Sequence, residues 1–418
     1  MKIVSLLNVY GTKNIGDEAI YNVAITTISS ILKEGVIYSI GVEKRKNFSI
    51  GSVKIRYILS PYGNAINQGG KVSKSGKLFS FFYIVITGAL FSVIIKSFPK
   101  LKLISEKYAY IDALNDSNFI VNMGGGYLRT KEKITDFFGL GLTLLPIYIA
   151  KFFGRSQLFL PMSFGNFASS LHKNISLHAV SNSIFIARDK ISYKEIAASK
   201  DYLESNTELK LLPDLALLAD EPTMIPFKQK IKSKYIVLSA RDWMAPDQQT
   251  RYERILANFI DEVFEQHLLK TVFVAMAANS LEDDDRKPYN RIRKIIKNKG
   301  ALSLSKASTP DEVIKVLDTA KASVCTRMHL AILSSKIHTP FIAIQYEHKT
   351  LGFMKSLDLT ENNINIDEIQ FDTLMSKFNQ LLSPTNYKTV VTLLRKKNSE
   401  YKDKRIELEN CLKDFFQI

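Results

Sequence analysis

The sequence predicts an α/β protein built from two doubly wound parallel sheets that face a central cleft. Strand, loop and helix patterns alternate through both halves of its 418 residues, and an apolar share of 46% is enough for packed cores. Residues 221–233, "EPTMIPFKQKIKS", are Pro- and Lys-containing and read as a linker between the halves. In such sheets ligands bind beyond the carboxyl ends of the strands, so chemistry is sought there.

The first half, residues 1–222, opens with a strand over Ile3–Val9, the loop "NVYGTKNIGDEAI" and a helix from about Asp17 to Leu32. A strand follows at about 35–42, then a polar loop at 44–77. The apolar insertion 78–95 leads to a helix at about 101–114, and strand 118–126 ends in three glycines. A helix then runs to about 154, "RSQLFLPMSFG" holds a strand, a helix covers 171–182, and "SIFIARDK" is a short strand ending in charge. The second half, 233–384, repeats the pattern: strand 234–242, helix 248–267, strand 271–279, helix 284–298, and a helix capped by Thr309 with Pro310 in its first turn. "ASVCTRMHLAILSSKI" reads as strand, turn and helix, and "TPFIAIQYEHK" as strand, then loop. The charged tail 385–418 reads as helical.

The formal charge is +16, from 57 Lys and Arg against 41 Asp and Glu. Beyond ordinary solvated lysines, that surplus suits an anionic substrate or an anionic membrane surface. Nucleic acid fits least, because the basic residues are spread out and no zinc spacing or aromatic-basic RNA motif is present. Two cysteines, Cys325 and Cys411, suggest neither a disulfide framework nor a metal cluster, and so a reducing, cytoplasmic setting. The N-terminus lacks the pattern of a secretory signal. "LFSFFYIVITGALFSVII", Leu78–Ile95, carries no charge and meets the lower limit for a membrane span. A span would cut the first half in two, so a helix docked on the inner face of the plasma membrane is expected, with a buried core helix and a re-entrant or spanning helix as rivals. Lys71, Lys74, Lys77, Lys96, Lys100 and Lys102 flank it and suit anionic headgroups.

Several strand ends carry chemistry. In "NVYGTKNIGDEAI", Gly11 and Gly16 permit close backbone approach, and the next helix offers free amides. Asp17 either caps that helix or, with Asn14, meets a sugar hydroxyl. Gly124, Gly125 and Gly126 form a tight turn or a ligand seat. Arg188, Arg241 and Arg327 each follow a strand. One such arginine is usually a surface ion pair, but three equivalent ones can converge on an anion. Arg327 and His329 stand at a helix start, where amides and dipole attract anions and His329 can exchange a proton. His338 reads as structural, whereas His348 and Lys349 end the neighbouring strand, where Lys349 adds a further cation.

Together, "NVYGTKNIGDEAI", "NMGGGYL", "FIARD", "LPDLALL", "LSARD", "CTRMHLAI" and "TPFIAIQYEHK" resemble the landmarks of the polysaccharide pyruvyl transferases, in their usual order over about residues 1–360. Met328 stands where Leu is commoner in that family, an apolar exchange of little consequence. The resemblance implies a GT-B-like fold of two Rossmann-like domains. It implies transfer of the pyruvyl group of phosphoenolpyruvate to sugar hydroxyls, as a ketal, on a capsule, exopolysaccharide or cell-wall polymer or its lipid-linked precursor. Phosphoenolpyruvate would be a co-substrate, with no cofactor and no metal. Arg327, His329, Arg188 and Lys349 would hold the donor, with Arg327 and His329 catalytic; Arg241 joins them by its position. Asn14, Gly16, Asp17 and Gly124–Gly126 would meet the acceptor. Two alternatives remain at this point: a GT-B glycosyltransferase using a nucleotide sugar, with Glu347 as the ribose-side carboxylate, or a non-catalytic glycan-binding, membrane-associated protein.

Overall fold

The computed structural model describes residues 2–63, 74–103, 105–130, 134–199, 206–220, 234–278 and 283–418. The expected linker 221–233 and the adjoining domain boundaries lie outside the described residues. The chain forms two compact units. The first holds Met1–Gly11, Ile20–Leu215 and Arg405–Ile418; the second holds Thr12–Ala19 and Ala216–Lys404. The division is therefore more than one cut at the linker: a short piece of the first loop belongs to the second unit, and the end of the tail belongs to the first.

In the first unit, β1 (Lys2–Val9) is mostly apolar and buried from Val4 onward, Ser5 and Asn8 included, as expected of a central strand covered on both faces. It is flanked by β2 (Glu34–Gly41) and β5 (Phe119–Asn122). The sheet runs β3 (Phe48–Ile50), β4 (Ser52–Leu59), β2, β1, β5, β7 (Ser156–Phe164), β8 (Ile184–Ala187), β9 (Glu208–Leu211), with β6 (Gly125–Leu128) paired to β7. All pairs are parallel except β3 with β4. Chain order reverses between β1 and β5, which makes their carboxyl ends the switch point where ligands bind in such sheets. Leu7, Ile120, Phe159 and Phe185 from the strands share a core with Ile84, Ile111 and Ile147. These come from α2 (Lys74–Ser97), α3 (Ala109–Asp116) and α4 (Ile134–Phe152).

The second unit has six parallel strands in the order β12 (Leu302–Leu304), β11 (Lys270–Phe273), β10 (Tyr235–Ser239), β13 (Ser323–Cys325), β14 (Phe341–Gln345), β15 (Asn363–Asn365). The reversal falls between β10 and β13. Two doubly wound α/β sheets are thus present, as the alternation predicts.

Local differences have local causes. The 44–77 loop contains β3 and β4; SVKIRYIL alternates exposed and buried side chains, the period of a strand. The strand expected over 118–126 is two, β5 and β6, broken at Gly124. The segment after β14 is helix α11 (His348–Ser356) rather than a loop. Thr309 caps its helix as expected, accepting from the Glu312 amide at 3.3 Å. The tail is one helix, Pro384–Phe416.

Candidate active site

Ser239, Cys325 and Ala343 pair in one register row across β10, β13 and β14. Arg241 and Arg327 each stand two residues past that row, on neighbouring strands about 4.8 Å apart. The Ser239 hydroxyl accepts from the amides of Thr326 and Arg327 at 3.2 Å each, tying the two strand ends together. Arg327 is the N-cap of α10 (Met328–Lys336), and its guanidinium is buried. Its Nε donates to both Asp285 oxygens at 3.1 Å, and Nη2 donates to Asp285 at 2.6 Å and to Asp283. Arg241 reaches the same Asp283, with Nε at 3.5 Å. Its Nη1 donates to the Tyr346 hydroxyl, and its guanidinium lies 4.5 Å from the Trp243 ring centre and 4.8 Å from that of Tyr346. Asp283 therefore sits between two guanidinium groups at the switch point.

Electrostatics separate the two carboxylates. Burial pushes the Asp285 carboxyl above its usual range, against the pull of Arg327. Burial acts the same way on Asp283, but Arg327 and then Arg241 outweigh it and hold that carboxyl below the usual range. Burial works against the Arg327 charge, yet Asp285 leads the groups that raise its pKa further. Cys325, fully buried beneath, is an inert thiol with its pKa pushed up to about 12 by burial.

His329 lies in the first turn of α10 against the loop after β1. A methyl group built on Gly16 would fall 2.2 Å from His329 Nδ1, so only glycine fits beneath this imidazole. The loop is fixed on this unit. Lys13, Asn14 and Ile15 pair with residues 276–278, through Ile15 N to Met276 O at 2.9 Å and Ala278 N to Lys13 O at 2.9 Å. The Asn14 side-chain oxygen accepts from the amides of Gly16 at 3.0 Å and Asp17 at 3.3 Å. Asn14 is thus the cap of α1 (Ile15–Leu32), and Asp17 lies inside its first turn. Ala277 also joins Asp285, whose carboxylate accepts from the Ala277 amide at 3.1 Å. Lys349, in the first turn of α11, pairs with Glu347 at 2.7 Å. The side chain of His348 lies outside the described residues.

In the first unit, Arg188 follows β8. Its Nε donates to Ser163 Oγ at 2.7 Å and its Nη1 to Asp214 at 2.8 Å, in a pair almost wholly buried. Each glycine of the run has a separate steric task. A Cβ at Gly124 would sit 2.6 Å from the Pro161 carbonyl oxygen, Gly125 has φ +129°, and a Cβ at Gly126 would lie 3.3 Å from Arg188 Nη2. The expected grouping of residues is accordingly redrawn. Asn14, Gly16 and Asp17 keep company with His329 in the second unit, and Arg188 with Gly126 in the first.

A family model described as polysaccharide pyruvyl transferase matches residues 14–348. The chain belongs to the polysaccharide pyruvyl transferase family. The amylovoran biosynthesis protein AmsJ of Erwinia amylovora is 27% identical over 165 residues, 38% of this chain and 39% of that protein, so the match spans well under half of that relative. Among solved structures, the trehalose-6-phosphate synthase OtsA superposes with a TM-score of 0.57 at 11% identity, covering 100% of this chain and 99% of that one. A putative UDP-N-acetylglucosamine 2-epimerase from Listeria monocytogenes gives 0.59 at 9% identity, covering 100% and 96%. The UDP-GlcNAc 2-epimerase from Neisseria meningitidis gives 0.56 at 9%, covering 99% and 100%. At such identities the likeness is one of fold, the GT-B-like pair of Rossmann-like domains.

Sequence reasoning missed the carboxylates. Asp283, Asp285 and Asp214 complete the arginine settings, and Trp243 and Tyr346 wall Arg241. Three consecutive aspartates, 283–285, just beyond the strand expected over 271–279 were the available signal.

Proposed function

We propose that the protein transfers the pyruvyl group of phosphoenolpyruvate to paired hydroxyls of a cell-surface polysaccharide or its lipid-linked precursor, closing a pyruvate ketal. The observation that carries this reading is the meeting of Arg241 and Arg327 on one carboxylate at the ends of two central strands. Two guanidinium groups that accommodate a protein carboxylate suit a donor carboxylate or phosphate equally. In this reading Asp283 holds the seat until phosphoenolpyruvate exchanges for it. Asp285 stays buried against Arg327 and keeps its fork oriented.

The chemistry balances without a cofactor or metal. Protonation of the methylene carbon breaks the enol double bond and leaves positive charge at C2, where the first sugar hydroxyl adds and returns its proton to the group that protonated C3. Phosphate then departs with the C2–O electron pair, and the second hydroxyl closes the ketal, its proton going to phosphate. His329, the family's histidine, is the acid for C3, poised by Gly16. Lys349 meets the phosphate once Glu347 yields it. Asn14 and Gly16 act through His329 in this scheme; Asp17 remains for the acceptor. Arg188 and Gly124–Gly126 form a polar seat in the first unit.

The test is incubation with phosphoenolpyruvate and lipid-linked or polymeric glycans, reading phosphate release and, by mass spectrometry, a glycan that has gained one pyruvate ketal. Phosphate release without that mass gain would refute ketal transfer. Stabilisation by a nucleotide sugar but not by phosphoenolpyruvate would refute the donor.

A further inference from the structure

Helix α2 is apolar on two opposite faces. Phe81, Ile84, Ser92 and Ile95 are buried, and Gly88 lies where any side chain would strike the Tyr110 hydroxyl, at 2.9 Å. This face packs on α3 and α4, with the Phe81 ring 4.9 Å from that of Phe138. The other face is apolar and open. Phe79, Phe82, Tyr83, Ile86, Leu90 and Val93 follow a helical spacing and are all exposed, Phe79 to 73% and Ile86 to 63%. That stripe runs roughly 21 Å at 1.5 Å per residue. Only 28% of the 79–97 window is buried, too little for a core helix. Phe98 and Leu101 extend the exposed apolar surface beyond the helix.

Charge gives the occupant. Between Glu43 and Glu106 stand eleven Lys or Arg residues and no Asp or Glu. Lys96, Lys100 and Lys102 are exposed at the end of the stripe, and Lys107 lies 4.4 Å from the Tyr83 ring centre. Lys102 pairs with Asp116, an exposed contact of little strength. Lys71 and the side chains of Lys74 and Lys77 lie outside the described residues. A second copy of this chain would oppose like charges across the stripe. A bilayer-spanning helix would have to strip Phe81, Ile84 and Ile95 from their core. We infer that α2 lies flat on an anionic phospholipid surface, with Phe79, Phe82, Ile86, Leu90 and Val93 in the acyl boundary and the lysines among the headgroups. The inference is independent of the donor proposal.

Co-sedimentation with vesicles of mixed phosphatidylglycerol and phosphatidylethanolamine tests it. Wild type should partition at least ~10-fold more strongly than Phe82→Glu/Ile86→Glu, and high salt or neutral phosphatidylcholine should weaken its binding. Lys96→Glu/Lys100→Glu, changed only at exposed positions, should lose a similar factor; circular dichroism checks that both variants fold. Equal binding by wild type and either folded variant overturns the inference. So does wild-type self-association abolished by the glutamates, which would make the stripe an interface between copies. Wild type left in the supernatant, or bound protein that resists alkaline carbonate, overturns it as well.

Discussion

Substituting Gly16 by Ala is the sharpest perturbation of the candidate site, because one added methyl meets one functional side chain. The new carbon would lie 2.2 Å from His329 Nδ1, 2.4 Å from Cγ and 2.8 Å from Cβ. Ordinary contact needs about 3.4–4.0 Å, so the overlap exceeds ~1 Å and includes the root of the side chain. Rotating the imidazole therefore cannot relieve it fully. Gly16 has no left-handed φ, so alanine itself is compatible with the backbone. The loop is also held by the Asn14 cap and by the bonds to residues 276–278. The expected cost is that of overpacking, about 1–3 kcal/mol. For a unit of about 200 residues, 2 kcal/mol lowers Tm by about 4–8 °C. If His329 donates the proton, its displacement by about 1 Å lowers turnover ~100-fold. Thermal unfolding and phosphate release from phosphoenolpyruvate read the two effects. The pair Gly16→Ala/His329→Ala should recover most of the lost stability and none of the activity, a coupling that a double-mutant cycle isolates. Wild-type Tm and turnover in the single variant would refute the packing, and additive stability losses would refute the contact.

Two further substitutions probe the arginine settings. Asp214→Ala strands the buried Arg188 charge and should cost about 3–5 kcal/mol in chemical denaturation; a loss under ~1 kcal/mol would mean the pair carries little. If Asp283 holds the proposed donor seat, Asp283→Asn should lower the KM for phosphoenolpyruvate several-fold, whereas a purely structural Asp283 predicts an unchanged or higher KM. The folded-state pKa of Asp283 lies below its unfolded value. Its stabilising contribution is thus present above about pH 4 and is lost as pH falls through the folded pKa. The stability gap between wild type and Asp283→Asn should close below about pH 4 in urea titrations, and a gap constant down to acid pH would contradict the ion pairs.

What the sequence made legible was local. Alternation of patterns gave both sheets, Thr309–Pro310 gave a helix start, and Arg241, Arg327 and His329 pointed to the switch point of the second sheet, while Arg188 follows β8, away from the first sheet's reversal. What stayed hidden was tertiary. Asp283 and Asp285 stand more than forty residues from Arg327, and no spacing rule connects them. Asp17 was one candidate for the cap of α1, yet Asn14 takes that role, its backbone pinned to Ala277 by a bridge from more than two hundred residues away. Gly16 read as room for a ligand; its space is taken by an imidazole more than three hundred residues away. Strand β4 escaped notice because it lies inside a stretch otherwise rich in polar and small residues.

The ion pairs also change what the net charge means. Arg241 and Arg327 are matched by Asp283 and Asp285, Lys349 by Glu347, and Arg188 by Asp214. These side chains add almost nothing to the surplus of +16. Residues 44–105 hold eleven of it, leaving 46 basic residues against 41 acidic elsewhere. A diffuse positive field is therefore a property of the segment that carries α2, where headgroup attraction falls off with salt. In the proposed reaction, donor recognition would rest instead on oriented forks a few ångströms from their target, which salt screens far less. The surplus charge and the anion seat are two separate devices, and raised ionic strength should release the protein from vesicles while leaving the KM for phosphoenolpyruvate much less affected.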